Sequence, residues 1–328
     1  MNDLTIVIPA FNAELFIGNA LNSIYKQEQD ESIFSVIVVN DGSTDQTLKI
    51  VEKYQSLHSN IKIINQKNSG VSSARNAALK SINSRYVTFL DADDYFANKS
   101  LEGIFTLLNE FHSEILVLKS INDTYKSERY AWNKKMHEKA VYSFIDLFKL
   151  NYNRGSVCGV LYSVPFLKKN NILFPVGVTN AEDSIFFSLC MASVKCMTFH
   201  NIDFYRITTR DDSAMTTYNF EKITRFRKGV DYINDLFQLK TFSEEQKALF
   251  SLLKYRIISR CIHDACHINN VKLADILKIR WIKGYLPIDD TNITSNKKGI
   301  WLINRSYNCY CCIAFILNKL RKYAKDYY

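Results

Sequence analysis

Short runs of β-branched and aromatic residues recur along the first ninety positions, each bounded by polar residues: Leu4–Ile8, Phe34–Val39, Ile61–Asn65 and Tyr86–Leu90. Their length and composition predict four strands. The segments between them carry apolar residues at helical spacing instead. Asn12 is placed to cap a helix that buries Leu15, Ala20, Leu21 and Ile24. Ser43, with Gln46 three residues on, has the form of a capping box before Leu48, Val51 and Tyr54. A third helix is expected from about Val71, with Ala74, Ala78 and Leu79 inward. A fourth, capped by Asn98, would place Leu101, Ile104, Phe105, Leu108 and Phe111 on one face. Strands alternating with helices build a mainly parallel sheet covered by helices on both faces. Ligands bind such sheets beyond the carboxyl ends of the strands. The residues that follow each strand are therefore the ones to read for chemistry.

Those ends are polar. Pro9-Ala10-Phe11-Asn12 follows the first strand and Asn40-Asp41-Gly42-Ser43-Thr44-Asp45 the second. Asn68-Ser69-Gly70 follows the third, with Arg75 and Asn76 one turn into the next helix, and Asp91-Ala92-Asp93-Asp94 ends the fourth. Any one of these is an ordinary turn or helix cap; four in order within one α/β unit are not. Asp91 and Asp93 straddle Ala92 and can share a hard divalent cation. Mg²⁺ or Mn²⁺ is held by one or two carboxylates, with water and substrate phosphates completing its shell. Such a partial site belongs to an enzyme that handles a diphosphate. Asp41 can accept a hydrogen bond from a base or ribose. Arg75 is a fixed cation for the phosphates or for orienting the carboxylates.

These motifs resemble the successive motifs of family 2 glycosyltransferases, which have the GT-A fold and use nucleotide-diphosphate sugars. The likeness is dense over the first hundred residues and looser beyond. Phe174-Pro175 followed by Asn180-Ala181-Glu182-Asp183 resembles the family's acceptor-side motif, and Tyr205-Arg206 with Ser213-Ala214-Met215-Thr216 its closing loop. The resemblance implies that Pro9 and Phe11 line the nucleotide pocket and that Asp41 binds the base, normally uracil. Asp91 would face ribose or metal, and Asp93 would be the main ligand of Mn²⁺ or Mg²⁺. Asp183, beside Glu182, would be the base of an inverting single displacement. Arg206, Arg210 and Ser213 would close over the diphosphate, although Arg210-Asp211-Asp212 reads equally as a solvated loop. His200 lies before that loop, and no third metal ligand is evident in it.

Composition adds the rest of the organisation. Only 10 Gly and 4 Pro in 328 residues argue against a sandwich or barrel of many short strands. The net charge of +9 is unevenly spread: residues 221–328 hold 20 basic and 10 acidic side chains, the first hundred 9 and 11. A GT-A domain is expected over 1–219, its nucleotide-sugar half at 1–112 and its acceptor half at 113–219. A basic helical region follows at 220–328. There is no signal peptide pattern after Met1 and no apolar run of membrane-spanning length. The expectation is a cytoplasmic enzyme, peripheral on the inner face of the membrane. It takes a UDP-sugar donor and a lipid-linked saccharide acceptor, in synthesis of O-antigen, capsule or related polysaccharide, and nucleic acid is not expected as a partner. The alternative is a non-catalytic membrane- or nucleic-acid-binding adaptor on a degenerate GT-A fold. Retention of Asp41, Asp91, Asp93 and Asp183 argues against it, since carboxylates repel phosphate.

Two further patterns compete with metal sites. His263-Asp264-Ala265-Cys266-His267 has zinc-like spacing on an amphipathic helix, and packing is the preferred reading. Cys309-Tyr310-Cys311-Cys312 leads into Ile313-Ala314-Phe315-Ile316-Leu317 and then Lys319, Arg321, Lys322 and Lys325. That describes an interfacial amphipathic helix, or one docked on its own domain.

Overall fold

A computed structural model of the chain describes residues 2–27, 29–123, 127–129, 136–152, 154–209, 218–289 and 296–326. The chain divides into two compact units, residues 1–177 with 189–209, and residues 178–188 with 210–328.

The first unit is built on the expected alternation. It opens with β1 (Leu4–Ala10), α1 (Ile17–Tyr25), β2 (Phe34–Asn40), α2 (Thr47–Leu57), β3 (Ile61–Asn65), α3 (Val71–Ser81) and β4 (Tyr86–Phe89). β5 (Tyr95–Phe96), α4 (Ser100–Glu110), β6 (Ile115–Asn122), β7 (Ser127–Arg129) and α5 (Phe144–Lys149) follow. β8 (Val160–Ser163) and α6 (Val164–Lys169) come next. α7 (Glu182–Ser193) leads to β9 (Met197–Ile207). The sheet runs β3-β2-β1-β4-β8-β6-β9-β5, with β7 on β6. β3, β2, β1 and β4 are mutually parallel. Beyond β4 the sheet is mixed: β8 is antiparallel to β4 and β6, β9 is parallel to β6, and β5 is antiparallel to β9. The sheet is flanked by helices in a GT-A-like α/β fold. Leu4, Ile6, Val7 and Ile8 of β1 are wholly buried, as a central parallel strand requires. Each such side chain contributes about 1.5–3 kcal/mol of burial.

Helix starts depart from the sequence reading. α1 begins at Ile17 after Phe16, so Leu15 stays in the loop and is 81% exposed. Asn12 caps nothing; its backbone is left-handed (φ 47°) and its side chain reaches the next loop. α2 begins after Gln46 without a side-chain cap, because Ser43 Oγ accepts a hydrogen bond from Asn12 N instead. α4 starts at Ser100, two residues after Asn98, behind a left-handed Lys99. Phe111 lies just past its end, where its ring meets His200 edge-on at 4.7 Å.

The second unit is helical: α8 (Phe220–Leu239), α9 (Glu244–Cys266), α10 (Leu273–Leu277), a 3-10 turn at Arg280–Tyr285, α11 (Lys297–Arg305) and α12 (Tyr307–Asp326). Here a capping box does form, Ser243 with Gln246, at the start of α9. Residues 178–188 join this unit because they pack on α8. A Cβ on Gly229 would lie 3.2 Å from that of Ala181, and Asn180 donates to Lys222 O at 2.9 Å. The division thus differs from a boundary at 219 and carries Glu182 and Asp183 with the helices. Asp264 is buried in α9 beside Arg260 (2.6 Å) and Lys222 (3.3 Å). Burial alone would raise its carboxyl; His263, Arg260 and Lys222 together hold it below the usual range. The rings of His263 and His267 lie 4.3 Å apart, and Tyr218 stacks on His267. This cluster is packing and ion pairing within the unit.

In the first unit Asn76 ties α3 to the chain after α6. Its amide donates to Phe174 O and accepts from Phe174 N, both at 2.9 Å in a buried setting. Asn76→Ala strands two buried backbone groups, each costing about 1–3 kcal/mol. Urea unfolding should show a loss of about 2–5 kcal/mol for this variant, well above that of an exposed Asn→Ala control.

Candidate functional site

The site is built where the parallel strands end, and side chains from each loop hold the next. Between β1 and β2, Asn12 Oδ1 accepts from Thr44 N (2.8 Å) and Glu14 Oε2 from Gln46 N (2.8 Å). Between β2 and β3, Asn40 Nδ2 donates to Asn65 Oδ1 at 3.0 Å. Asp41 is buried and accepts from Gln66 Nε2 (2.7 Å), Ser69 N (2.8 Å) and Gly70 N (2.8 Å). Its carboxylate therefore shapes the β3–α3 loop, while a carboxylate's roughly four acceptor positions leave room on Oδ2 for a further donor. Gly42 is required beside it. Its φ is 76°, and a Cβ there would come within 2.7 Å of Asn68 N.

At the end of β4, Arg75 Nη2 donates to Asp91 Oδ1 at 2.8 Å. The guanidinium is buried, with Phe174 and Phe89 ring centroids 5.0 and 5.8 Å away, while Asp91 is 37% exposed. Of the two roles open to Arg75, the geometry shows the orienting one. Asp93 is half-buried in the same turn. Asp94 turns inward: Tyr205 OH donates to its Oδ2 (2.7 Å), and Thr208 N to its Oδ1 (2.8 Å). Asp91 N in turn donates to the same Tyr205 hydroxyl oxygen at 3.1 Å. Burial, reinforced by the charges of Asp91 and Asp93, pushes the Asp94 carboxyl up to about 8, despite these two hydrogen bonds. Cys158 Sγ lies 3.6 Å from Asp91 Oδ2, and the buried Arg154 holds the Cys158 carbonyl and Ser120 Oγ.

The other expected residues are placed as follows. Pro9 is half-buried at the end of β1, and Phe11 is 49% exposed just beyond it, an aromatic face available for stacking. Arg206 pairs with Asp123 (2.9 Å) and Asp203, so it braces β9 against the end of β6. His200 is buried in β9 with Nε2 2.9 Å from Thr198 Oγ1, and burial lowers its pKa to about 4, which keeps it neutral. Glu182 and Asp183 form the half-buried first turn of α7 and belong to the second unit. Arg210 and Ser213 lie outside the described residues. Tyr205, Asp94 and Arg154 are the structural partners that sequence reasoning did not assign; Tyr205 meets Asp94 across 111 positions, and no local pattern announces it.

The donor set at the β4 end, Asp91 and Asp93, is all oxygen. Among the described residues no group of three or more His, Cys, Asp or Glu could hold a metal. Two carboxylates fit a Mg²⁺ or Mn²⁺ whose shell is completed by substrate and water, and do not fit a closed protein cage.

Residues 5–164 match the Glycosyl transferase family 2 model. Over 188 residues the chain is 31% identical to the poly(ribitol-phosphate) beta-N-acetylglucosaminyltransferase TarS of Staphylococcus aureus (strain Mu50), covering 57% of this chain and 32% of that one. It is 29% identical over 220 residues to the poly(ribitol-phosphate) beta-glucosyltransferase of Bacillus spizizenii (strain W23), covering 65% and 33%. The chain thus spans about a third of the length of these curated relatives. The crystal structure of S. aureus TarS 1–349 in complex with UDP-GlcNAc has the same fold, with a TM-score of 0.63 at 24% identity over 93% of this chain and 91% of that one.

The raised carboxyl has a stability signature. Asp94 keeps its proton in the folded chain up to about pH 8, whereas an unfolded aspartate releases it near 4. Between those values the folded state binds more protons, so this group makes stability fall as pH rises. Urea midpoints of the wild type and Asp94→Asn, measured from pH 4 to 8 in chelator, should show a shallower decline in the variant.

Proposed function

We propose, on the premise that residues 5–164 form a glycosyl transferase family 2 domain, that the chain is an inverting glycosyltransferase. It moves a hexose from a UDP-sugar to a hydroxyl of a phosphate-bearing acceptor in cell-surface polymer synthesis. The observation that carries this is the set of polar strand ends, with Phe11 and the side chain of Asp91 exposed, Asp93 half-buried in the same turn and Arg75 fixing Asp91. Phe11 would stack on the base. Asp93 and Asp91 would hold Mg²⁺ or Mn²⁺, which when bound neutralises charge on the departing diphosphate. Asp183 takes the proton of the acceptor hydroxyl as its oxygen bonds the anomeric carbon and the bond from that carbon to the diphosphate breaks. UDP leaves with the electron pair. UDP as the nucleotide is supported by the UDP-GlcNAc complex of TarS, and a phosphate-rich acceptor by the poly(ribitol-phosphate) named for both relatives. A lipid-diphosphate-linked saccharide carries the same anionic chemistry. The relatives differ in sugar, N-acetylglucosaminyl against glucosyl, so the donor has to be found by a panel.

The C-terminal helices suit a membrane surface. Cys309, Ile313, Ile316 and Leu317 of α12 are exposed at helical spacing, as is Trp301 of α11, in the basic third of the chain. Among the described residues no helix is long and apolar enough to cross a membrane. On this reading α12 lies along the inner leaflet, where UDP-sugars are available.

Transfer from a panel of UDP-sugars with Mn²⁺ tests the catalytic roles. Asp93→Ala and Asp183→Asn should each lower kcat by about 10²–10⁴-fold, with UDP binding retained in Asp183→Asn; full activity in either variant removes that residue from the mechanism. The membrane reading is tested by co-sedimentation with phosphatidylglycerol vesicles. Ile316→Asp with Leu317→Asp should abolish it while leaving the melting temperature unchanged, and unaltered sedimentation rejects it.

A further inference from the structure

The second unit contains a cavity of about 590 Å³ where α8 ends and α9 begins, closed on one side by the loop around Pro287. Phe237, Phe242 and Ser251 line it together with three ammonium groups, Lys240, Lys247 and Lys254. One carboxylate, Asp289, also lines it. Nothing assigned to catalysis lies in this cavity.

The three lysines are differently poised. Lys240 is exposed just after α8. Lys247 pairs with Glu244 at 2.7 Å, but both partners are about half-exposed or more, and such a surface pair contributes little. Lys254 stands between α9 and the Tyr285 ring (5.8 Å) and donates one of its three N–H bonds to Asn234 Oδ1 at 3.2 Å. Burial depresses its pKa, a penalty that a bound anion would relieve. Aromatic walls thin the water around these charges and strengthen their attraction for an anion.

We infer that this cavity binds a phosphoryl group together with the alcohol it esterifies, a phosphopolyol segment of the acceptor. The volume exceeds what a bare phosphate fills, and Asp289 can accept hydrogen bonds from polyol hydroxyls. Three lysines lining one cavity are suited to a phosphate as point-charge donors. The inference rests on the phosphate-bearing acceptor proposed above and adds where this chain holds it.

The full chain labelled with ¹³C-lysine is titrated with sn-glycerol 3-phosphate and inorganic phosphate at constant ionic strength, with chloride as control. Saturable shifts of the Lys240, Lys247 and Lys254 signals are expected, tighter for glycerol 3-phosphate than for phosphate and missing with chloride. Lys240→Gln and Lys247→Gln, both at exposed positions, should each weaken binding by about tenfold, the scale of one charge-assisted hydrogen bond. Shifts that do not saturate, or that survive both substitutions, overturn the inference. So do shifts seen only with phosphatidylglycerol vesicles, which would assign the lysines to a lipid surface. Asp93→Ala should bind glycerol 3-phosphate unchanged. Binding without any sugar transfer by the wild type would therefore sink the catalytic reading and leave the cavity standing.

Discussion

The fixed point of the first unit is the buried guanidinium of Arg75, held against Phe174 and Phe89 and paired with Asp91. Arg75 belongs to α3, whose neighbour Asn76 ties down Phe174, and Phe174 is itself part of the wall around Arg75. The orientation of Asp91 therefore depends on a closed circuit of packing and hydrogen bonds. Asp93 and Asp94 sit in the same turn, so their positions inherit that circuit. A lysine would supply the charge but neither the planar stacking nor the donor geometry.

Much of this was legible in the residues themselves. The first four strands followed from apolar runs, and the polar ends were visible because turn residues and carboxylates interrupt those runs. The GT-A likeness of the first hundred positions follows from local pattern as well. What could not be read were competitions for the same atom. Ser43 and Ser243 have the same capping pattern, yet of the two only Ser243 forms the box: α2 starts later, after Gln46, and Ser43 Oγ accepts from Asn12 N of another loop. Asp41 and Arg206 also carry partners that no local pattern announces: three donors from the β3–α3 loop reach the first, and Asp123 and Asp203 pair with the second.

Burial also separates residues that sequence treats alike. Asp91, Asp93 and Asp94 read as one acidic triplet, but Asp91 is exposed enough to meet a ligand while Asp94 faces Tyr205 and keeps its proton. Protonation of Asp94 lowers the number of charges in the turn. His200 shows the same effect in reverse. Its place in the middle of β9 gives it a hydroxyl partner and removes its charge.

The long reach of Tyr205 sets the timing of assembly. β4 and its acidic turn emerge from synthesis more than a hundred residues before the strand that supplies this hydroxyl and the amide of Thr208. The first four strands can collapse early, but the turn that ends them has no final geometry until β9 adds to the sheet beside β6. Loop closure over such a separation is slow compared with the pairing of two consecutive helices. The helical hairpin of α8 and α9, made of near neighbours in the chain, forms on a faster clock once synthesised. Substitutions in β9 are therefore expected to act on the folding rate of the acidic turn, far from where they lie in the sequence.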